Sequence, residues 1–415
     1  MDEIKFRRIL PLFIVLMLFP AIYTGFYPGK IVVVSAVCFG LASLLLIVFR
    51  KYLYLSDFDY RTVLQVLLIY NTITYIRGFF NIELPSDVYA LCSNLIYTSF
   101  IVPFFVFLAH PRYLYIIFHS MLTWGLLCCL LCYWFPPSDG FMSFQHNMSF
   151  CNVFMLAIPY LKRKHIVLLT ILAAWSVLYD TDRRSILISA IVPVVIVLLY
   201  PAIKVGAIKK ISFFVTFSLP PILLLCGLLG VFNVFQDLNI DKDITLEENN
   251  RALYTDSRTG IYEDVFGELS RQNKLIYGLG ANGKTYTSLL ESVNQDYSPI
   301  YKKGRGGTEA GMLNYFQYGG IIGYFVYTLL FFGACYLAMF KSNNRFVCML
   351  GFYMCFKYIY SYVEDANSMN ASLFYFYIWL GICYCRLLRS MTDQQVKEYF
   401  HAIFSFNNGR KRLYY

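Results

Sequence analysis

Side chains that can bind a phosphate and move a proton are concentrated in one polar stretch of the chain, residues 236–310. The candidates within it are Arg258, Lys302, Lys303, Arg305 and Glu309. Guanidinium groups match phosphate oxygens with paired hydrogen bonds, and ammonium groups add positive charge. A partly desolvated carboxylate beside them can take a proton from an attacking hydroxyl. This combination predicts group transfer from a phosphate-bearing substrate, whereas the alternative is a solvated surface on which Glu309 is a counter-ion.

Two further arginines, Arg183 and Arg184, lie in a compact turn between apolar runs, next to Asp180 and Asp182. One interpretation is that they pair with these aspartates and cap helices. The other is an anion site, because adjacent guanidinium groups suit a phosphate. His146 is a weaker candidate for substrate binding, since a lone histidine on an apolar helix is more often hydrogen-bonded within the bundle.

An amphipathic helix is predicted at residues 258–272 of the polar stretch. The apolar residues at helical spacing are Ile261, Val265, Phe266 and Leu269. Arg258 would stand at the head of this helix, where free backbone amides and the positive end of the helix dipole favour a phosphate. The Tyr-Gly-Leu-Gly-Ala-Asn-Gly sequence that follows, residues 277–283, predicts a tight turn with close backbone approach.

The segments that must position these residues are strongly apolar. Hydrophobic residues make up 58% of the 415 residues and charged residues only 14%, against about 25% in soluble domains. Apolar runs of about 20 residues, enough to cross a bilayer, recur along the chain. The sequence therefore predicts an all-α polytopic integral membrane protein with about 12 transmembrane helices, which lie in residues 1–235 and 311–385. Residues 236–310 form one long extracytoplasmic loop with short amphipathic helices, and residues 386–415 form a basic tail.

The distribution of positive charge predicts the orientation of these helices. Most lysines and arginines fall in alternate connections between apolar runs, while the other short connections hold only Lys30, Arg77, Arg183 and Arg184. Because positively charged loops stay in the cytoplasm, both termini are predicted to be cytoplasmic and the long loop extracytoplasmic. The net charge of +10 thus reflects topology rather than nucleic-acid binding. Arg-Lys-Arg at residues 410–412 suits an anionic lipid surface.

No sequence motif indicates a cofactor or a metal site. The chain has no nucleotide-binding P-loop, no zinc motif and no haem motif, and Gly278, Gly280 and Gly283 match a dinucleotide fingerprint in spacing alone. The 12 cysteines lie in or beside apolar runs, which is typical of small hydrophobic residues in a membrane core. We therefore expect neither a cofactor nor a resident metal ion.

Several short segments, together with the architecture of the whole chain, resemble the O-antigen polymerase and O-antigen ligase superfamily (the Wzy and WaaL type). Its members are membrane glycosyltransferases with about a dozen helices and one long periplasmic loop between late helices. The matching segments are residues 182–185 (Asp-Arg-Arg-Ser), 257–260 (Ser-Arg-Thr-Gly), 277–280 (Tyr-Gly-Leu-Gly), 309–314 and 318–323. Ligase-type members typically have a histidine before the helix that follows the loop. Glu309 stands there in this chain, which favours the polymerase branch.

The resemblance implies polymerisation of undecaprenyl-pyrophosphate-linked oligosaccharide repeat units into O-antigen or capsule-type polysaccharide, at the outer face of the bacterial inner membrane. Arg183, Arg184 and Arg258 would hold the pyrophosphate, and Glu309 would deprotonate the acceptor hydroxyl, with inversion at C1 and no metal ion. The remaining substrate-binding candidates are Lys302, Lys303, Arg305 and His146. The implied partners are membrane lipids, a chain-length regulator and a flippase.

Three other functions remain open at this stage. A ligase would use the same donor but transfer the glycan to lipid A core. A flippase or secondary transporter fits twelve spans with both ends inside, although such proteins usually show two related halves, and no internal repeat is visible here. A non-catalytic scaffold would tolerate single replacement of the arginines and of Glu309.

Overall fold

The computed structural model describes most of the apolar helices and part of the polar stretch. The described residues are 3–24, 31–83, 87–88, 91, 102–127, 150–151, 153–178, 184–228, 257–285, 307–308, 310–364 and 371–404.

The described residues fold into α-helices joined by short turns. The helices are α1 (Glu3–Thr24), α2 (Ile31–Val48), α3 (Arg61–Phe79), α4 (Pro111–Ser120), α5 (Arg163–Leu178), α6 (Arg184–Leu198), α7 (Gly206–Leu228), α8 (Ser257–Arg271), α9 (Gly311–Phe340), α10 (Arg345–Tyr360), α11 (Ala371–Tyr384), α12 (Arg386–Ser390) and α13 (Asp393–Phe404). Short 3-10 segments occur at Arg50–Tyr52, Leu55–Asp57, Val102–Ala109 and Met155–Tyr160. No β-strand occurs in these residues, which confirms the predicted helical class.

Two helices in the described part of the chain are long and apolar enough to cross a membrane, Gly206–Cys226 within α7 and Gly311–Phe340, which is α9. They occupy different environments. Most of α9 is buried inside the protein, whereas α7 exposes large apolar side chains such as Phe214 and Leu225. Shorter apolar helices lie at Val37–Val48, Leu187–Leu198 and Ser372–Tyr384. Three of the predicted spans, at residues 88–109, 113–135 and 141–161, fall partly outside the described residues.

The core is built around α9, which packs against α10, α11, α3 and α8. Aromatic rings fill much of the space between these helices. The rings of Tyr315 and Tyr327 stack with centroids 3.8 Å apart, and Tyr384 donates a hydrogen bond to the carbonyl of Leu330. Small residues allow close approach elsewhere, since a Cβ at Gly381 would lie 2.3 Å from the Val106 carbonyl oxygen.

The segment predicted as a basic tail contains a packed amphipathic helix, α13. It buries Val396, Tyr399 and Phe400 against the 3-10 segment Met155–Tyr160, α4 and α10. Asp393 begins the helix, and its carboxylate accepts hydrogen bonds from the Tyr160 hydroxyl and from the backbone amide of Arg345, each at 2.7 Å. This end of the bundle is therefore closed by a helix that composition alone does not indicate. Residues 405–415 lie outside the described part.

Candidate functional site

For the residues predicted to do chemistry, the structure describes at most the backbone or the neighbouring residues. Arg258 is the second residue of α8 and Arg184 the first residue of α6, and the side chains of both lie outside the described residues. The other candidates also lie outside them: His146, Arg183, Lys302, Lys303, Arg305 and Glu309. Glu309, however, stands between two described residues, Thr308 and Ala310.

The chain around Glu309 is held by a reciprocal pair of hydrogen bonds. The backbone amide of Thr308 donates to Oδ1 of Asn314 at 2.6 Å, and Nδ2 of Asn314 donates to the Thr308 carbonyl at 2.9 Å. The Thr308 hydroxyl also donates to the carbonyl of Ala310 at 3.0 Å. Both side chains are buried. These bonds tie Thr308 to the first turn of α9.

The starts of α8 and α9 meet at the turn formed by residues 361–364. The amide of Gly311 donates to the Glu364 carbonyl at 3.2 Å, and the amide of Met312 donates to the Ser361 carbonyl at 2.9 Å. From α8, the Tyr262 hydroxyl donates to the Tyr362 carbonyl at 2.8 Å. Since Tyr262 lies one helical turn after Arg258, the segments that carry Arg258 and Glu309 converge on the same turn.

The predicted amphipathic helix is present as α8 and lies against α9. Val265 and Leu269 are fully buried, and the ring of Phe266 meets that of Phe316 edge to face with centroids 5.0 Å apart. At its far end, Glu268 accepts hydrogen bonds from Arg271, which lower the pKa of the Glu268 carboxyl. The apolar face of α8 is thus fixed against α9, and the Glu268–Arg271 pair links residues within α8 itself.

The α9 helix is broken at Gly320, which has φ 62° and ψ −159°. A break of this kind removes the helical hydrogen bonds from the amides of residues 321 and 322 to the carbonyls of residues 317 and 318. The loop after α8 replaces all four partners. The amides of Ile321 and Ile322 donate to the carbonyls of residues 275 and 276, at 2.9 and 3.1 Å. The carbonyls of residues 317 and 318 accept from the amides of Leu279 and Gly280, at 2.8 and 3.0 Å.

Arg77, at the end of α3, holds this loop from the other side. Its guanidinium donates to the Tyr277 carbonyl at 2.6 Å and to the Gly278 carbonyl at 2.5 Å, and it lies 4.8 Å from the centre of the Tyr277 ring. Asn81 adds a bond to the Leu279 carbonyl at 2.7 Å. In the sequence, Arg77 stands out only as a cation in a connection that holds few others. That position is the one local signal of its role.

Further polar contacts secure the same region. Lys284 forms an ion pair with the buried carboxylate of Asp87 at 2.6 Å. A chain of hydroxyls runs from the 361–364 turn between α9 and α10, with Tyr362 hydrogen-bonded to Tyr324 at 2.9 Å and to Tyr358 at 3.0 Å. The ammonium of Lys357 lies 5.5 Å from the centre of the Tyr360 ring. Among the described residues, no group of three or more His, Cys, Asp or Glu could hold a metal ion.

Comparison of the chain with protein-family models, with curated proteins and with solved structures gives no match. Function must therefore be argued from the residues and from the geometry of this region. Two helix starts and a bonded loop come together there, with Arg258 and Glu309 on the converging segments. The helix dipoles give both helix starts partial positive charge, which suits an anionic group, although the amides of Gly311 and Met312 at the start of α9 already donate to the 361–364 turn.

Proposed function

We propose that the protein is an integral membrane glycosyltransferase that polymerises lipid-linked oligosaccharide repeat units. The donor is a glycan on undecaprenyl pyrophosphate, and the acceptor is a sugar hydroxyl of a second lipid-linked unit. The observation that carries the proposal is the convergence of the N-terminal part of α8, through Tyr262, and the start of α9 on the 361–364 turn. It supports a single site that contains Arg258 and Glu309.

In this proposal the acceptor oxygen attacks C1 of the donor sugar, and the bond between C1 and the phosphate oxygen breaks with inversion. The electron pair leaves with undecaprenyl pyrophosphate, whose growing charge is stabilised by Arg183, Arg184 and Arg258. Glu309 takes the proton of the acceptor hydroxyl. The leaving group is already activated, so the reaction needs no nucleotide.

The proposal includes about 12 transmembrane helices, with both termini in the cytoplasm and the long loop in the periplasm of a bacterium. The two long apolar helices and the apolar surface of α7 support a membrane location. The bonded loop and α8 lie in the N-terminal half of α9, whereas the turn 341–345, which contains Lys341 and Arg345, lies at its other end. That separation agrees with the predicted orientation.

The first experiment compares two pairs of variants in the native host. Arg258→Ala and Glu309→Gln test the site. Arg271→Ala and Glu263→Gln are matched controls, because they change the same residue types at exposed positions of α8. After membrane insertion has been verified, surface polysaccharide is separated by size.

Collapse of the polysaccharide ladder to single repeats in both site variants, with normal ladders in both controls, supports the polymerase. The loss in rate should be on the order of 10²–10³ for removal of one charge-stabilising group. Accumulation of full-length glycan on undecaprenyl pyrophosphate identifies a ligase instead. Unchanged ladders in the site variants contradict the site and leave transport or a scaffold role.

A further inference from the structure

A concentration of unpaired positive charge lies at the opposite end of the molecule, at the start of α5. Lys162, Arg163 and Lys164 precede or occupy its first turn, and all three are exposed. None of them forms a salt bridge with another described residue. The positive end of the helix dipole lies at the same place and disfavours cations there. The local potential is therefore strongly positive, and no ion pair within the described part of the chain compensates these three cations.

Two histidines lie beside these cations. His165 is 9% exposed, and its ring packs on Phe404 of α13 with centroids 5.0 Å apart. Within the described residues, Nδ1 of His165 and Nε2 of His401 are buried and have no hydrogen-bond partner. Buried polar nitrogens are normally satisfied by protein, water or a ligand. These two are thus free to bond a group that enters between α5 and α13.

The electrostatics around both imidazoles agree with this geometry. Burial, together with Lys164, Lys162 and His401, lowers the pKa of His165. Burial, Lys162 and Lys397 likewise lower the pKa of His401, while Glu398 opposes that shift. Lys162 therefore acts on histidines from both helices. Among the described residues, Glu398 is the acidic neighbour that acts on His401. A bound anion would relieve the remaining repulsion between the lysines and the two histidines.

The surface beside these cations is suited to a lipid rather than to a soluble anion. Leu168 and Ile171 follow Lys164 at spacings of four and seven residues, so the three side chains share one face of α5. Leu168 is 42% exposed and Ile171 is 58% exposed. A phospholipid whose phosphate is held at Lys164 would thus lay its acyl chains directly against these exposed apolar side chains.

We infer that the start of α5 and the end of α13 form a binding site for the phosphate of an anionic glycerophospholipid. Lys162 and Lys164 contact the phosphate, and His165 and His401 complete the site from within. The acyl chains lie along Leu168 and Ile171. This inference is independent of the proposed glycosyl transfer and requires only that the chain lies in a bilayer.

The test uses the full chain in phosphatidylcholine bilayers and measures the association of spin-labelled phosphatidylglycerol relative to spin-labelled phosphatidylcholine. The variant Lys162→Gln/Lys164→Gln removes two charges from the site. The control Lys5→Gln/Lys210→Gln removes two exposed lysines from α1 and α7. Two cations that contact the same phosphate add about 1 kcal/mol each, so the site variant should lose about 10- to 30-fold in preference. The control should lose less than about 3-fold, because Lys5 and Lys210 lie on separate helices and do not act on one bound lipid.

A second arm adds glycerol phosphate to the wild-type protein. No competition at millimolar concentration supports a lipid site, whereas full displacement of the labelled lipid would show that the site takes a soluble phosphate. Equal losses in the site variant and the control would overturn the inference, because they indicate general surface charge. The replaced lysines are exposed, so the variants should fold, and a melting temperature within 2 °C or so of wild type verifies this.

Discussion

The backbones of Gly278 and Gly320 approach so closely that a Cβ at either residue would lie 2.5 Å from the backbone nitrogen of the other. Both residues have positive φ, at 69° and 62°. The contact lies where the loop after α8 supplies the hydrogen-bond partners that α9 loses at its break. Only glycine satisfies the space and the backbone conformation at both positions. The two glycines therefore couple the long loop to the central helix of the bundle.

Replacement of Gly320 by alanine should destabilise the protein by at least about 2 kcal/mol, because a positive φ is strained for alanine and the Cβ meets backbone. Gly267→Ala in α8 is the matched control, since a Cβ there meets no atom within 4 Å. It should be neutral or stabilising by up to about 1 kcal/mol, as alanine is the better helix former. Thermal unfolding in detergent measures both. Equal melting temperatures for the two variants would contradict the tight contact.

Arg77→Lys should loosen the loop almost as much as Arg77→Ala. A lysine has no planar fork and cannot bond the carbonyls of Tyr277 and Gly278 together while stacking on the Tyr277 ring. Loss of these bonds should cost about 2 kcal/mol and expose the loop to protease. Arg61→Ala at the exposed start of α3 is the control and should leave cleavage unchanged. Limited proteolysis with mapping of the cut sites gives the result, and protection of the loop in Arg77→Lys would argue against the paired bonds.

The local features of this region were predictable, but its long-range partners were not. The spacing of Ile261, Val265 and Leu269 predicts α8, and the glycines after Tyr277 predict a tight turn. That the turn packs on Gly320 depends on residues about 40 positions apart, for which no local pattern exists. Arg77 is farther still from the loop it bonds.

Helix α13, in the segment predicted as a basic tail, was not predicted, because its many charged and polar residues outweigh its apolar face in the overall composition. Its packing depends on contacts with α4 and with the segment before α5, which sequence spacing does not reveal. The candidate site is likewise only partly predictable. The sequence predicts Arg258 at a helix start, and α8 begins at Ser257. The convergence of this helix with the start of α9 depends on the 361–364 turn, whose role no motif indicates.

Acidification should destabilise the protein through His110. This side chain is 3% exposed, its Nε2 lies 3.2 Å from the Asp57 carboxylate, and its ring stacks on Tyr54 with centroids 4.5 Å apart. Burial lowers the pKa of His110, although Asp57 opposes the shift. The folded state thus favours the neutral imidazole. Its contribution to stability is present above the ordinary pKa of about 6.5 and is lost as the pH falls towards the lowered value.

Melting temperatures between pH 7.5 and 5 test this pH dependence. The wild type should lose stability more steeply with falling pH than His110→Gln, which cannot titrate at this position. His165 and His401, whose pKa values are also lowered, will leave some slope in the variant. Identical slopes for the two proteins would show that His110 does not contribute.

Tyr262→Phe should impair the proposed reaction while it preserves the fold. The change removes one hydroxyl, leaves the Tyr362 carbonyl without its 2.8 Å donor, and costs about 1 kcal/mol of stability. Because this bond ties the first turns of α8 to the 361–364 turn, its loss should displace Arg258 relative to Glu309. A misplacement of about 1 Å can cost up to 10²-fold in rate, so we expect a decrease of about 10-fold in polymer formation.

The matched control for Tyr262→Phe is Tyr277→Phe, which removes the hydroxyl of a 45% exposed tyrosine in the adjoining loop. It keeps the ring on which Arg77 stacks and should retain full activity. The assay measures the rate at which membranes that contain each variant extend a purified lipid-linked repeat. Because a purely structural defect lowers the amount of folded enzyme, rates are divided by the amount of folded protein. A normal corrected rate for Tyr262→Phe would mean that the link from α8 to the 361–364 turn does not position the reacting groups.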